Sequence, residues 1–222
     1  MGKRKINWTV WFSYLVVIGF IGYILVMYGL NNPRSTGIVS GKLENPNFHY
    51  NTWKILFFIH ITTGSIALLL GPFQLLKASR KKIKTHRIIG KIYVSSIFLS
   101  VPAGIYLAFY ATGGIGSTIG FLILDAAWFI TTFLGLKRIH ERNIQSHQEW
   151  MLRSYAITLV FVTFRLLVPI FMFILHLGFA ISFPLAVIVG IMINLSLVER
   201  YLKRKLKGTK NTGSTILKVD VK

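Results

Sequence analysis

Five polar side chains sit in or beside long apolar runs, where such groups are expensive: His60, Asp125 and Arg165, with His86 and His147 nearer the run ends. An ionisable group at membrane depth normally faces a protein interior, a partner or a ligand. At a rise of about 1.5 Å per residue, His60, Asp125 and Arg165 fall at similar depths on three different runs. They are expected to meet as a buried ionic cluster. That cluster is either a salt bridge that sets helix register or a site for a proton or a small ligand. His86 and His147 share a depth at the opposite boundary. Two neutral imidazoles facing each other across a bundle can ligate the iron of a b-type haem. Gly90 would leave room for the macrocycle, and Arg87 and Arg153 could hold its propionates. The plainer alternative is two interfacial histidines touching lipid headgroups. By the same rise His60 lies about 20 Å from that boundary, so it would serve only a second haem, for which His176 is the one helix-borne partner.

The elements that must position these groups are helices, because the polar and small residues recur at steps of three and four. One run reads His60, Gly64, Ala67, Gly71, Gln74. The next reads His86, Gly90, Tyr93, Ile97, Ser100, Gly104. The two after it read Thr118, Phe121, Asp125, Trp128, Thr132, Gly135 and His147, Met151, Ser154, Thr158, Phe161, Arg165. Each is one face of a helix. Small residues alone have a packing explanation, since Gly and Ser let helices approach closely in lipid. That explanation covers the glycines but not His60, Asp125 or Arg165.

The chain has 222 residues, 53% apolar and 14% charged. Soluble proteins carry roughly 25% charged residues. Apolar runs of about 20 residues, each long enough to cross a bilayer, are expected at Trp8–Leu30, Trp53–Leu76, Ile88–Tyr110, Ile115–Leu136, Met151–Leu177 and Phe179–Val198. The first is too long for a signal peptide and lacks a cleavage site, so it reads as a retained helix. The polar stretch 31–52, with Pro33 and Pro46, reads as a loop without periodicity. The fold class is therefore an all-α, polytopic six-helix transmembrane bundle whose four central helices, the second to the fifth, have polar inner faces. Residues 1–198 form one membrane domain and 199–222 a basic cytoplasmic tail.

Of the 26 Lys and Arg residues, 21 lie in four segments: the N-terminus, 77–91, 137–142 and the tail after Glu199. Segments rich in Lys and Arg stay on the cytoplasmic side, so both termini are expected there. The net charge of +20 is thus topological. Its division among four segments argues against nucleic acid as a partner; the partner is the lipid bilayer, and nothing in the sequence sets an oligomeric state. There is no cysteine, so disulfides and thiolate chemistry are excluded. No G-x-x-x-x-G-K-[ST], H-E-x-x-H or G-x-S-x-G pattern occurs.

His60, Gly64, Gly71, Pro72 and Gln74; His86, Arg87, Gly90 and Tyr93; and His147, Trp150, Met151, Arg153, Ser154 and Tyr155 together make a pattern that resembles a bacterial family of predicted membrane proteins of unassigned function. The resemblance covers 53–169 and includes Arg165. The richness in Lys, Ile and Asn without cysteine suggests a bacterial plasma membrane. More loosely, the layout resembles the six-helix transmembrane cytochromes b that pass electrons from ascorbate. That resemblance implies haem ligands paired between the second and fourth helices and between the third and fifth. His86 and His147 match the latter pair; His60 faces Asp125 instead of a histidine.

Three functions follow as expectations. The first is a haem b electron-transfer protein, a transmembrane oxidoreductase, with His60, Asp125 and Arg165 forming a site for a quinone or small reductant. The second is a cofactor-free carrier of a small solute or protons through the same three residues. The third is a structural or stress-related membrane protein.

Overall fold

A computed structural model describes the backbone of residues 8–30 and 37–219. The described residues are helical apart from short connections. α1 spans Trp8–Ile24 and runs into a π-helical stretch, Leu25–Leu30. α2 is a short helix, Gly37–Leu43, inside the segment expected to be a plain loop. α3 (Tyr50–Leu75), α4 (Lys77–Lys81), α5 (Ile83–Ala108) and α6 (Ile115–His140) follow. α7 (Ile144–Thr158) and α8 (Val160–Pro169) are two parts of one rod, broken at Leu159 and ending in a π-helical turn, Ile170–Ile174. α9 runs from Phe179 to Val219.

Five of these rods are long and apolar enough to cross a membrane: 50–75, 83–108, 115–140, 144–174 and 179–205. Several overrun the expected ends on the side that carries 77–91 and 137–142, called here the basic end. α5 starts at Ile83, not Ile88, α7 at Ile144, not Met151, and α9 passes through the expected boundary at Val198 without a break. Hydropathy falls where charge begins, but Lys, Arg, Glu and Leu are good helix formers, so the helix continues. Local chemistry sets the turns. Asn143 caps α7, its side-chain oxygen accepting from the Ser146 amide at 3.0 Å, and the α5–α6 turn uses Gly113 and Gly114 at φ 99° and 75°, where glycine carries no Cβ penalty.

α3 packs on α5, α5 on α6, α6 on α7 and α7 on α3, so four rods close a ring and α5 faces α7 across its diagonal. α9 lies outside the ring against α6, α7 and α8, and α1 lies against α3. The expected faces turn inward: Ala67, Gly71, Tyr93, Ile97, Ser100, Trp128, Thr132, Ser154 and Thr158 are all buried. At the centre the Tyr93 hydroxyl lies 3.0 Å from Ser154 Oγ and 3.2 Å from Thr158 Oγ1. The Trp128 indole N–H donates to Thr158 Oγ1 at 2.9 Å, and the Thr132 and Ser154 hydroxyls are 2.8 Å apart. Three helices are thus bound by hydroxyl contacts where lipid offers no alternative partner. α3 joins them by shape, because the Tyr155 ring lies flat on Gly71, in the space a Cβ would need.

That contact predicts a specific loss. Gly71→Ala should destabilise the detergent-solubilised protein by about 1–3 kcal/mol, the range for overpacking, read as a fall in thermal unfolding temperature. In a Tyr155→Ala background the same substitution should cost much less. Equal losses in the two backgrounds would show that the ring is not the cause.

Candidate functional site

The three deep ionisable residues line one chamber of about 170 Å³ between α1, α3, α5, α6, α8 and α9. They do not pair as expected. Asp125 is buried and has no hydrogen-bond or ion-pair partner among the described residues; its carboxylate instead lies against Gly104 of α5, where a Cβ would stand 2.6 and 2.8 Å from the two oxygens. Among the described residues Arg165 donates only to the Phe161 carbonyl, at 3.4 Å, and its guanidinium lies over the rings of Phe20 (5.3 Å) and Phe164 (5.1 Å). His60 is tied to α5: its Nδ1 lies 3.0 Å from the Ser100 carbonyl, and the Ser100 hydroxyl donates back to the His60 carbonyl at 3.2 Å. A carbonyl only accepts, so Nδ1 carries a hydrogen and Nε2 is the ring nitrogen left over. Rise per residue sets the heights of the three groups but not their azimuth, and rings pack around them. Phe161 touches both His60 (5.6 Å between centroids) and Trp128 (5.0 Å), and Phe121 meets Phe164 at 5.8 Å.

The chamber is therefore an aromatic box holding one carboxyl, one guanidinium and one imidazole, each without an ionic partner among the described residues. A space of about 150 Å³ accepts one benzene ring, so a single ring with small polar substituents matches its size. Sequence reasoning missed Phe20, which covers the guanidinium, and Lys42, which lines the mouth and donates to Thr112 Oγ1 at 2.8 Å. Neither belongs to a polar stripe, so no periodic signal marked them.

At the basic end, His86 and His147 face across the α5–α7 diagonal, near enough to interact electrostatically. Each has Nδ1 engaged, His86 with Ser79 Oγ at 3.2 Å and His147 with the Gly135 carbonyl at 2.7 Å. Nε2 of each makes no hydrogen bond among the described residues, which is the orientation of imidazoles that ligate a metal. The donor atoms suit an axial pair. The surroundings differ from expectation in two respects. Gln74 fills the space beside Gly90, donating to the His86 carbonyl at 3.2 Å. Arg153 is committed to Glu199 of α9 at 2.6 and 3.2 Å and stacks on Trp150 at 4.7 Å, so it is not open to a propionate; Arg87 is exposed. His60 stands at the other end, among the chamber walls. His176, at φ 52° beyond the π-helical turn, is exposed. Among the described residues no group of three or more His, Cys, Asp or Glu could hold a metal ion.

Fold and site together define a polytopic α-helical membrane protein with a chamber inside its bundle. The chain belongs to the family described as Predicted membrane protein (DUF2306), whose pattern matches residues 57–202. The match extends past the expected core, 53–169, to include the transmembrane part of α9. No curated protein and no solved structure matches the chain.

Lys42 gives the chamber mouth a pH dependence. Burial disfavours its ammonium form and lowers it from the usual 10.5 to about 8. Between about pH 8 and 10.5 the unfolded chain holds a proton that the folded one lacks, so the contribution of Lys42 to stability rises with pH across that window. Competitive acetylation read by mass spectrometry should give Lys42 a midpoint near 8; a midpoint at 10.5 would contradict the buried setting.

Proposed function

We propose that the protein binds a small ring-bearing molecule, of the quinone or small aromatic reductant class, in the chamber shared by His60, Asp125 and Arg165. One observation carries this reading: three groups able to donate, accept or exchange protons line a ring-sized apolar space and are not paired with one another. Unpartnered groups at membrane depth are costly, and convergent polar groups in an apolar cavity are the usual form of a ligand site. Arg165 and His60 suit a ring carbonyl or an anionic oxygen. Asp125 suits a ring hydroxyl and is a candidate to take its proton. Phe121, Phe161 and Phe164 suit the faces of the ring. The same groups also suit a carrier of small solutes.

The topology proposed with it has six spans, both termini on the cytoplasmic side and a bacterial plasma membrane. The helical run through α1 and its π-helical end, 17 and 6 residues, supports this, since it suffices for a hydrocarbon core about 30 Å thick. The gathering of cations at one end supports the orientation.

Trp53 lines the chamber, and quinones quench indole fluorescence. Titrating the purified protein with a short-chain benzoquinone should give saturable quenching. Asp125→Asn and Arg165→Gln should each weaken binding about tenfold or more, the loss for a hydrogen bond to a charged group. Quenching that never saturates, or an unchanged Kd in both variants, removes the proposal.

A second reading, a b-type haem between His86 and His147, is supported by the two Nε2 atoms, on α5 and α7, that make no hydrogen bond among the described residues. Bound there, haem would supply one-electron transfer. His86 and His147 would hold the iron and Arg87 is the arginine open to a propionate. This reading requires Gln74 to leave its place beside Gly90. A reduced-minus-oxidised spectrum of the isolated protein should show a b-type band that His86→Ala and His147→Ala each abolish. A wild-type spectrum without that band ends it.

A further inference from the structure

We infer that the chamber is filled sideways from the bilayer, past α1, and that its occupant is a lipid-soluble ring compound with an apolar tail. The inference rests on the reading of the chamber as a ring-binding site and adds the route and the ligand's solubility class.

The chamber is closed differently on its two open sides. Toward the end away from the basic loops, aromatic side chains are packed on one another. Phe48 lies 5.3 Å from Tyr110 and 5.8 Å from Trp53, and Trp53 stacks on Phe57 at 4.7 Å with planes 13° apart. Lys42 adds a hydrogen bond to Thr112. Opening this end would expose stacked rings to water.

The other side is α1, which supplies Phe20, Ile24 and Tyr28 to the chamber wall. At the chamber it is held by a small apolar cluster in which Val17 packs with Leu68 and Val162, by the edge contact of Tyr28 with Phe57 at 5.0 Å, and by Phe20 on Arg165. Further toward its start, Tyr14 is hydrogen-bonded to the Phe73 backbone of α3, which leaves the chamber end of the helix as the part free to swing. α1 lies outside the ring of four helices, against α3, and Gly19 and Gly22 on it have no atom within 4 Å of where a Cβ would stand, so no further element covers it there. In hydrocarbon, separating α1 from α3 exchanges apolar contacts for equally apolar lipid tails, so it carries no hydrophobic penalty. The side facing lipid is the one that opens at least cost.

Phe20 makes the route selective. The Arg165 guanidinium lies over its ring at 5.3 Å and over that of Phe164 at 5.1 Å. A ligand oxygen that engages Arg165 competes for the group that holds Phe20, so arrival of the ligand head loosens the helix it passed. The apolar tail would remain between α1 and α3, beside Ile24, Ile61 and Leu68.

The absence of cysteine makes a clean test available. Val17→Cys with Val162→Cys, closed by oxidation or by a short bis-thiol reagent, ties α1 down without altering a chamber-lining residue. Association of decyl-benzoquinone with the full chain in liposomes is followed by fluorescence quenching. The locked form should bind at least tenfold more slowly and regain its rate on reduction, and Phe20→Ala, which needs no cross-link, should bind faster. Equal rates locked and reduced, with no effect of Phe20→Ala, overturn the lateral route while the chamber reading stands. Faster entry in Thr112→Val than in Phe20→Ala also overturns it, in favour of entry from water. No saturable binding in wild type overturns the chamber reading and this inference with it.

Discussion

Hydrocarbon offers a hydroxyl or a peptide group nothing to bond to, and the interior of this bundle is arranged around that constraint. Tyr93, Ser154, Thr158, Trp128 and Thr132 meet only one another or nearby backbone at its centre. Ser96 and Thr131 return their hydroxyls to carbonyls one turn back on their own helices. Where the α7–α8 rod breaks at Leu159, Asn194 of α9 donates to the Ala156 carbonyl at 3.0 Å and accepts from Thr163 at 3.1 Å. Among the described residues Ser117 Oγ is a buried hydroxyl without such a partner, and in the chamber a carboxyl and a guanidinium line the same space without pairing.

The two arginines of the α7–α8 rod make the contrast concrete. Arg153 forms a two-point contact with Glu199 and stacks on Trp150. Its planar fork is satisfied, and it fastens α9 to the ring of helices. Arg165, twelve positions on, has five N–H donors like any arginine but among the described residues reaches one carbonyl and two rings. Ring faces attract the charge without accepting its hydrogen bonds in the way a carboxylate does. The residue lines the chamber. Asp125 could have answered its donors, yet it is seated against Gly104, on another wall.

The helical faces were legible because lipid enforces one rule on every span: small and polar side chains turn inward. A 3.6-residue period is enough to see it, and His60 through Gln74 and His86 through Gly104 follow it in the structure. What the period does not encode is how neighbouring faces interlock. Rise along a helix gave the heights of His60, Asp125 and Arg165, but rotation about each axis decided that Asp125 would lie against Gly104 and Arg165 against two phenyl rings. Gln74 was read as one more polar stripe residue, and only the α3–α5 contact shows that it fills the space of Gly90. Arg153 and Glu199 are 46 positions apart, with no local pattern to join them. α2 was missed because seven residues containing two glycines carry too little periodicity to separate from a loop.

The chamber is also divided along the chain in a way that bears on its use. His60, Asp125, Arg165, Gly104 and the rings of Phe121, Phe161 and Phe164 all fall within 57–202, the part matched by the family pattern. Phe20, Tyr28, Lys42 and Trp53, which cover it, precede that part. The chamber's three deep ionisable side chains thus sit on α3, α6 and α8, while α1 with its π-helical end and α2 bring Phe20, Tyr28 and Lys42 over them from outside the matched part. Within the bundle Ser100 orients His60 and Gly104 seats Asp125. In lipid a hold that rests on apolar contact alone is weak, so the Phe20 ring on Arg165 and the Tyr14 hydrogen bond to the Phe73 backbone are the contacts that fasten α1 more firmly than packing by itself would.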